Sequence, residues 1–194
     1  MIFETLNFLR NRIEKYLGTN GGEPVTILAQ PWSNADDNKN SAFLNTITLI
    51  NIEEEKIFKT PGLQVTVTKD GTFYTEPDVK LNLYLLFSSY NKSYDESLKY
   101  ISKIISFFQL QTVFDHTDDA TVTDAKLLLD PGIQQLILEL YSPSFDQLNQ
   151  IWASLSIGYL PSVMYKVRML IVDANQQTPA PVITSLDNQF QNYG

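Results

Sequence analysis

The sequence contains no cysteine. Disulfides, thiolate nucleophiles and cysteine-ligated metal sites are therefore excluded, and the chain is expected to fold in a reducing, cytoplasmic setting. Positive charge is scarce as well: 14 Lys and Arg stand against 22 Asp and Glu, a net charge of −8. A nucleic-acid binder carries a basic footprint, so no nucleic-acid partner is expected. No apolar run approaches the ~20 residues needed to cross a bilayer, so direct membrane insertion is not expected either. The opening segment "MIFETLNFLRNRIEKYL" lacks a basic stretch followed by an uninterrupted apolar one, and reads as no signal peptide. The Asn91-Lys92-Ser93 glycosylation match then carries no weight. There is no Gly-Lys pair and no G-x-G-x-x-G, hence no phosphate-cradling loop and no expected cofactor. Ser162 stands in "LPSVM", which is not a G-x-S-x-G elbow; it reads as the first residue of a strand beside a turn proline.

What the chain does have is ordinary for a globular protein: 43% hydrophobic and 19% charged residues over 194 positions. That length buries roughly 70% of the unfolded surface, enough for one domain with its own core. Ile2, Leu6, Leu9, Ile13, Tyr16 and Leu17 recur at spacings of three and four, which predicts an amphipathic helix ended by Gly18 and the following Asn-Gly-Gly. Phe8 falls well off that stripe, among Glu4, Asn11, Arg12 and Lys15. It is expected as a large apolar residue on a polar face.

Strands are predicted at 25–31, 43–52, 79–90, 133–142 and 162–172, with a weak one at 112–114. "EEEK" (53–56) reads as a solvated turn, and Asp70-Gly71 as the turn of a hairpin over 63–75. Two further helices open on apparent capping boxes, Ser93 with Glu96 and Ser144 with Gln147. The first is expected to bury Tyr94, Leu98, Ile101, Ile105 and Phe108. The second carries Phe145, Leu148, Trp152 and Leu155 and closes at Gly158. Helices and strands in this order predict an α+β fold: a single mixed, mainly antiparallel sheet flanked by about three helices. Residues 1–173 form that one domain. Residues 174–194, rich in Pro, Gln and Asn, read as an extended C-terminal arm.

The segment "YLPSVMYKVRMLIVD" (159–173) is unusual. Its odd positions, Val163 to Ile171, are apolar throughout, while its even positions run Met164, Lys166, Arg168, Leu170 and Val172. One face is core along its length, and the other is expected to be core only at the far end. Lys166 and Arg168 are either solvated, as charges that deter unwanted strand pairing, or they dock on an acidic surface. The one histidine, His116, lies in the acidic loop 115–124 with Asp115, Asp118, Asp119 and Asp124. Such a loop could in principle offer oxygen ligands, but the EF-hand spacing is missing, and it reads as solvated, as does "NADDNKN" (34–40). Trp152 is expected in the core. Trp32, in a polar loop, is open to packing beneath that loop or to a partner.

Several blocks together resemble a known family. "VKLNLYLLFSSYNKSYDESLKYISKIISFFQ" (79–109) is a long strand, a polar loop, then a helix ending in Phe-Phe-Gln. "SFDQLNQIWASLSIGYLPSVMYKVRMLIVD" (144–173) is a helix with an embedded tryptophan, a Tyr-x-Pro-Ser turn and a Tyr-Lys-Val-Arg strand. With the N-terminal helix and "TLINIEEE" (48–55), they resemble the cap, or tail-terminator, family of phage-tail-like contractile injection systems of the antifeeding-prophage and virulence-cassette type. The resemblance runs over most of residues 2–173. It implies a tail-terminator-like fold and a structural, non-enzymatic protein, assembled in the cytoplasm as a homohexameric ring on the end of the inner tube and sheath, where it stops polymerisation. The family brings no catalytic motif. An adaptor or assembly chaperone of the same particle, and a small hydrolase or metal enzyme, are the competing readings. Phe8, Arg12, Trp32, Lys166 and Arg168 are the candidate interface residues, with copies of the chain and the tube and sheath proteins as the implied partners.

Overall fold

The computed structural model describes residues 1–19, 26–28, 43–55, 64–68, 71–75, 80–91, 93–116, 128–171 and 177–179. In chain order the elements are α1 (Ile2–Thr19), β1 (Thr26–Leu28), β2 (Phe43–Glu54), β3 (Gln64–Thr68), β4 (Gly71–Thr75), β5 (Lys80–Asn91), α2 (Tyr94–Leu110), β6 (Val113–Asp115), β7 (Ile133–Tyr141), α3 (Phe145–Ser154), β8 (Ser162–Ile171) and β9 (Gln177–Pro179). Six strands form one sheet in the order β1-β2-β5-β8-β7-β6. Only β1 and β2 run parallel; every other neighbouring pair is antiparallel. The mixed, mainly antiparallel α+β fold with three helices is as the sequence predicts.

Besides this sheet, β3, β4 and β9 make a small three-stranded one. β3 and β4 pair antiparallel from Thr68 and Gly71 onwards, so Gly71 opens a strand, while Asp70 lies outside the described residues. Gln177-Thr178-Pro179, from the segment read as an arm, pairs antiparallel with Thr75-Tyr74-Phe73. Backbone pairing of this kind needs no apolar side chains, which is why composition gave no sign of it. Residues 180–194 lie outside the described residues. The "EEEK" turn is also displaced: β2 continues through Glu53 and Glu54, pairing them with Asn82 and Leu81, after a bulge between Leu49 and Asn51. Such a bulge admits an extra residue and lets the ladder resume.

Side chains alternate across the sheet, so each strand serves two faces. On the first face, Leu83, Leu85 and Phe87 of β5, Tyr165, Val167 and Met169 of β8, and Leu136 and Leu138 of β7 meet both α1 and α2 in one continuous core. Its centre is aromatic. Phe108 lies edge-on to Phe87 at 5.4 Å and 4.7 Å from Tyr165.

Phe8 belongs to this core and not to a polar face. It is 3% exposed, its ring stands edge-on to Phe114 of β6 at 5.6 Å, and the Arg12 guanidinium lies 5.1 Å over it. The helix phase is right, but Phe114 from the edge strand β6 packs on Phe8 and Phe107 of α2 on Tyr16, and Thr5 and Phe8 are buried too, so the buried arc of α1 is wider than its apolar stripe. The face of α2 is likewise rotated from the expected one. Tyr94 and Leu98 are exposed, while Ser97, Tyr100, Ile104 and Phe107 are buried. The capping box expected there is absent: Ser93 is the N-cap, yet its side chain makes no capping bond.

Candidate functional site

The second face of the sheet is divided. Its upper end is covered by α3, whose N-terminus carries the capping box the sequence predicts. Gln147 N–H donates to the Ser144 hydroxyl at 3.3 Å, and Ser144 N–H donates to Gln147 Oε1 at 2.9 Å. Beneath the helix, Trp152, Leu86 and Met164 are buried together, with Tyr84, Tyr141, Leu148 and Ile151 packed around them. Trp152 is core, as expected, with Tyr159 edge-on at 5.7 Å. Phe145 points away and is 91% exposed. The helix ends at Ser154 with Leu155 as its C-cap, followed by Ser156 in the left-handed region at a φ of 59°, and not at Gly158.

The lower half of this face is uncovered by any described helix, and it carries Lys166 and Arg168. β8 lies between β5 and β7, so its charges do not guard an edge. The even face of β8 is buried at its beginning, Met164, and opens at Lys166 and Arg168. That is the reverse of the expected order, because α3 folds back over the start of the strand; the Leu170 side chain is outside what is described. Register places Lys166 between Tyr84 and Glu139, and Arg168 between Asn82 and Ile137. The Arg168 guanidinium forms an ion pair with Glu139 on the neighbouring strand, and that hydrogen bond holds it still more firmly protonated.

Two concavities flank this cationic pair. One, of about 180 Å³, is lined by Glu55, Lys80, Asn82, Gln135, Ile137 and Arg168 among others. In it the buried Asn82 donates through Nδ2 to Glu55 Oε2 at 3.0 Å, while its Oδ1 has no partner. The other is a groove of about 350 Å³ between α3 and the sheet. Tyr84 and Tyr141 stand edge-to-face at 5.1 Å in it. The Tyr84 hydroxyl donates to Glu53 Oε2 at 3.0 Å, and Asn51 Nδ2 donates to Glu53 Oε1 at 3.1 Å. Burial first, and then the Glu53 hydrogen bond and negative charge, push the Tyr84 phenol up to about 12.

The sequence-expected residues are thus not brought together. Phe8 and Arg12 lie on the helix-covered face, Lys166 and Arg168 on the other, and Trp32 lies outside the described residues. Glu53, Tyr84, Tyr141 and Glu139 escaped sequence reasoning, since only pairing register places them around Lys166. His116 Nε2–H donates to the Ile133 carbonyl at 2.9 Å. Asp118, Asp119 and Asp124 are outside the described residues, and among the described residues no three potential metal ligands cluster.

The family described as the Pvc16 N-terminal domain matches residues 4–185. No curated protein matches the chain. Among solved structures, the sheath/tube terminator of the extracellular contractile injection system PVC in its extended state is similar at a TM-score of 0.65 and 16% identity. The tube-terminating cap of the anti-feeding prophage is similar at 0.62 and 14%. The matches cover 100% and 94% of this chain, and 65% and 60% of theirs, so the chain spans somewhat under two thirds of their length. At such identities these likenesses establish the shared fold, while the family match, which covers nearly the whole sequence, assigns membership: the chain belongs to the Pvc16 N-terminal domain family.

Proposed function

We propose that this protein is a structural terminator, or cap, of a contractile injection particle, seated as a homohexameric ring on the ends of the inner tube and sheath. The observation that carries this reading is the agreement of the family match over residues 4–185 with a fold shared by two terminators of such particles. The molecule's chemistry supports it. The two concavities described are lined by side chains held in hydrogen bonds to one another. A ring built from one kind of subunit uses two different patches per subunit, joined head to tail. Exposed apolar side chains stand at separate places for this: Tyr94 and Leu98 on α2, and Leu110, Leu140 and Phe145 around the far end of α2 and the end of β7. The segment after residue 173 serves as an arm to a neighbour, anchored where β9 joins β4. Assembly takes place in the cytoplasm, with the ring then joined to the particle.

Deleting the gene tests the reading. Tubes or sheaths of irregular length, or unstable particles, are expected by electron microscopy, and native mass measurement of the purified chain should find closed six-subunit rings. Particles of normal length and stability in the deletion strain would sink the proposal.

A further inference from the structure

We infer that the groove between α3 and the open half of the sheet receives a cationic side chain, lysine or arginine, projecting from a partner protein other than this chain. The inference rests on the groove alone and not on the terminator reading. The floor is apolar and aromatic: Met164, Ile50, Ile151, Tyr84 and Tyr141. At the rim stands Glu53, whose two carboxylate oxygens each accept one hydrogen bond from a neutral donor, Asn51 Nδ2 and the Tyr84 hydroxyl. These bonds fix the carboxylate without neutralising it. Glu139, on the same face, shows the contrast, being paired with the Arg168 guanidinium.

Ring faces beside a fixed carboxylate are the chemistry that recognises a cation. Lysine and arginine also carry a long apolar stem that lies along apolar surface while the charged head reaches a polar rim. A groove of about 350 Å³ with Met164 at its base and Glu53, Asn51, Gln147 and Gln150 at its rim suits such a side chain in both parts. The cation is assigned to a different protein because this chain is acidic overall, with a net charge of −8, so a basic projection on another protein is drawn towards it. Lys166, opposite Tyr84 in register and making no ion pair among the described residues, is the internal cation nearest in the ladder and competes for the same field.

The test uses the full chain labelled at isoleucine and methionine methyl groups, titrated with Nα-acetyl-arginine amide and, separately, with its neutral citrulline isostere. Saturable shifts are expected at Met164, Ile50 and Ile151 with the arginine probe and not with citrulline. Glu53→Gln should weaken the arginine probe at least tenfold, Tyr84→Phe several-fold, and Lys166→Gln should tighten it. An unchanged melting temperature in Glu53→Gln separates loss of binding from loss of fold. No saturable shift at ~50 mM arginine probe, far above the millimolar range of the weakest specific contacts, overturns the inference, as do equal shifts with citrulline or indifference to Glu53→Gln. Self-association of the wild type that is lost in Glu53→Gln would put the cation on a second copy and overturn the assigned occupant.

Discussion

The two faces of the six-stranded sheet are built from the same strands yet do different things. The face under α1 and α2 is closed: Leu83, Leu85, Phe87, Val167 and Leu136 have essentially no solvent exposure, and aromatic rings interlock across it. Among the described residues, the face under α3 has three buried core residues, Leu86, Trp152 and Met164. Below them it turns into a ladder of Asn51, Tyr84, Lys166 and Glu139 across four strands, with Glu53 hydrogen-bonded to Tyr84 from one step along β2. The first face accounts for stability. The second is where side chains with charge and hydrogen-bonding capacity are held in fixed positions by a rigid sheet and stay accessible, which is what recognition of another protein requires.

The sharpest way to break this contrast is at Phe8. Phe8→Glu buries a carboxylate against Phe114 on the closed face and should cost more than ~4 kcal/mol in denaturant unfolding, with the subunit folding poorly. A loss under ~1 kcal/mol would show that the ring can swing out and that the face is not closed. On the second face, Trp152→Ala removes most of a three-residue cluster and should cost ~3 kcal/mol, the lower end for such truncations, since α3 can settle onto Met164. A cost equal to that of Phe8→Glu would make the two faces equivalent.

The capping serines sharpen the comparison at smaller scale. Ser144→Ala removes a real cap from α3 and should lower stability by ~1 kcal/mol. Ser93→Ala should cost clearly less, because that side chain makes no capping bond; equal losses in thermal melts would contradict the difference between the two helix ends. Smaller still, replacing both Lys166 and Arg168 with Gln should change stability by under ~1 kcal/mol, since the Arg168–Glu139 pair is nearly half exposed on both sides and is weakened by solvent and salt.

The smallest effect is a pH dependence. The folded state raises the Tyr84 phenol from 10 to about 12, so it favours the protonated form. Its contribution to stability is complete below pH 10, the unfolded value, and is lost as pH rises through the folded value of about 12. Tyr84→Phe should flatten the alkaline decline in melting temperature over that window, and should remove one late step from the tyrosinate absorbance titration. An unchanged alkaline profile in the variant would mean that Glu53 and burial do not act on this phenol.

The sequence by itself determined every helix and strand of the six-stranded sheet to within a few residues, the antiparallel pairing within 63–75, the Ser144 cap and the burial of Trp152. These are local matters: a period of two or of about four, a turn pair, a cap three residues from its partner, all written in neighbouring residues. The resemblance of 79–109 and 144–173 to the terminator family is legible for the same reason, since it rests on contiguous blocks. Only the tertiary structure decided what lies between elements. Phe8 is buried because β6, more than a hundred residues away, brings Phe114 onto the flank of α1. Gln177–Pro179 becomes a strand because β4 offers it a free edge. Lys166 and Arg168 have no meaning until register sets them beside Glu139, Tyr84 and Asn82. Periodicity gives the direction of a side chain from its own backbone, but whether that direction meets solvent, a ring or a carboxylate depends on which distant segment packs there.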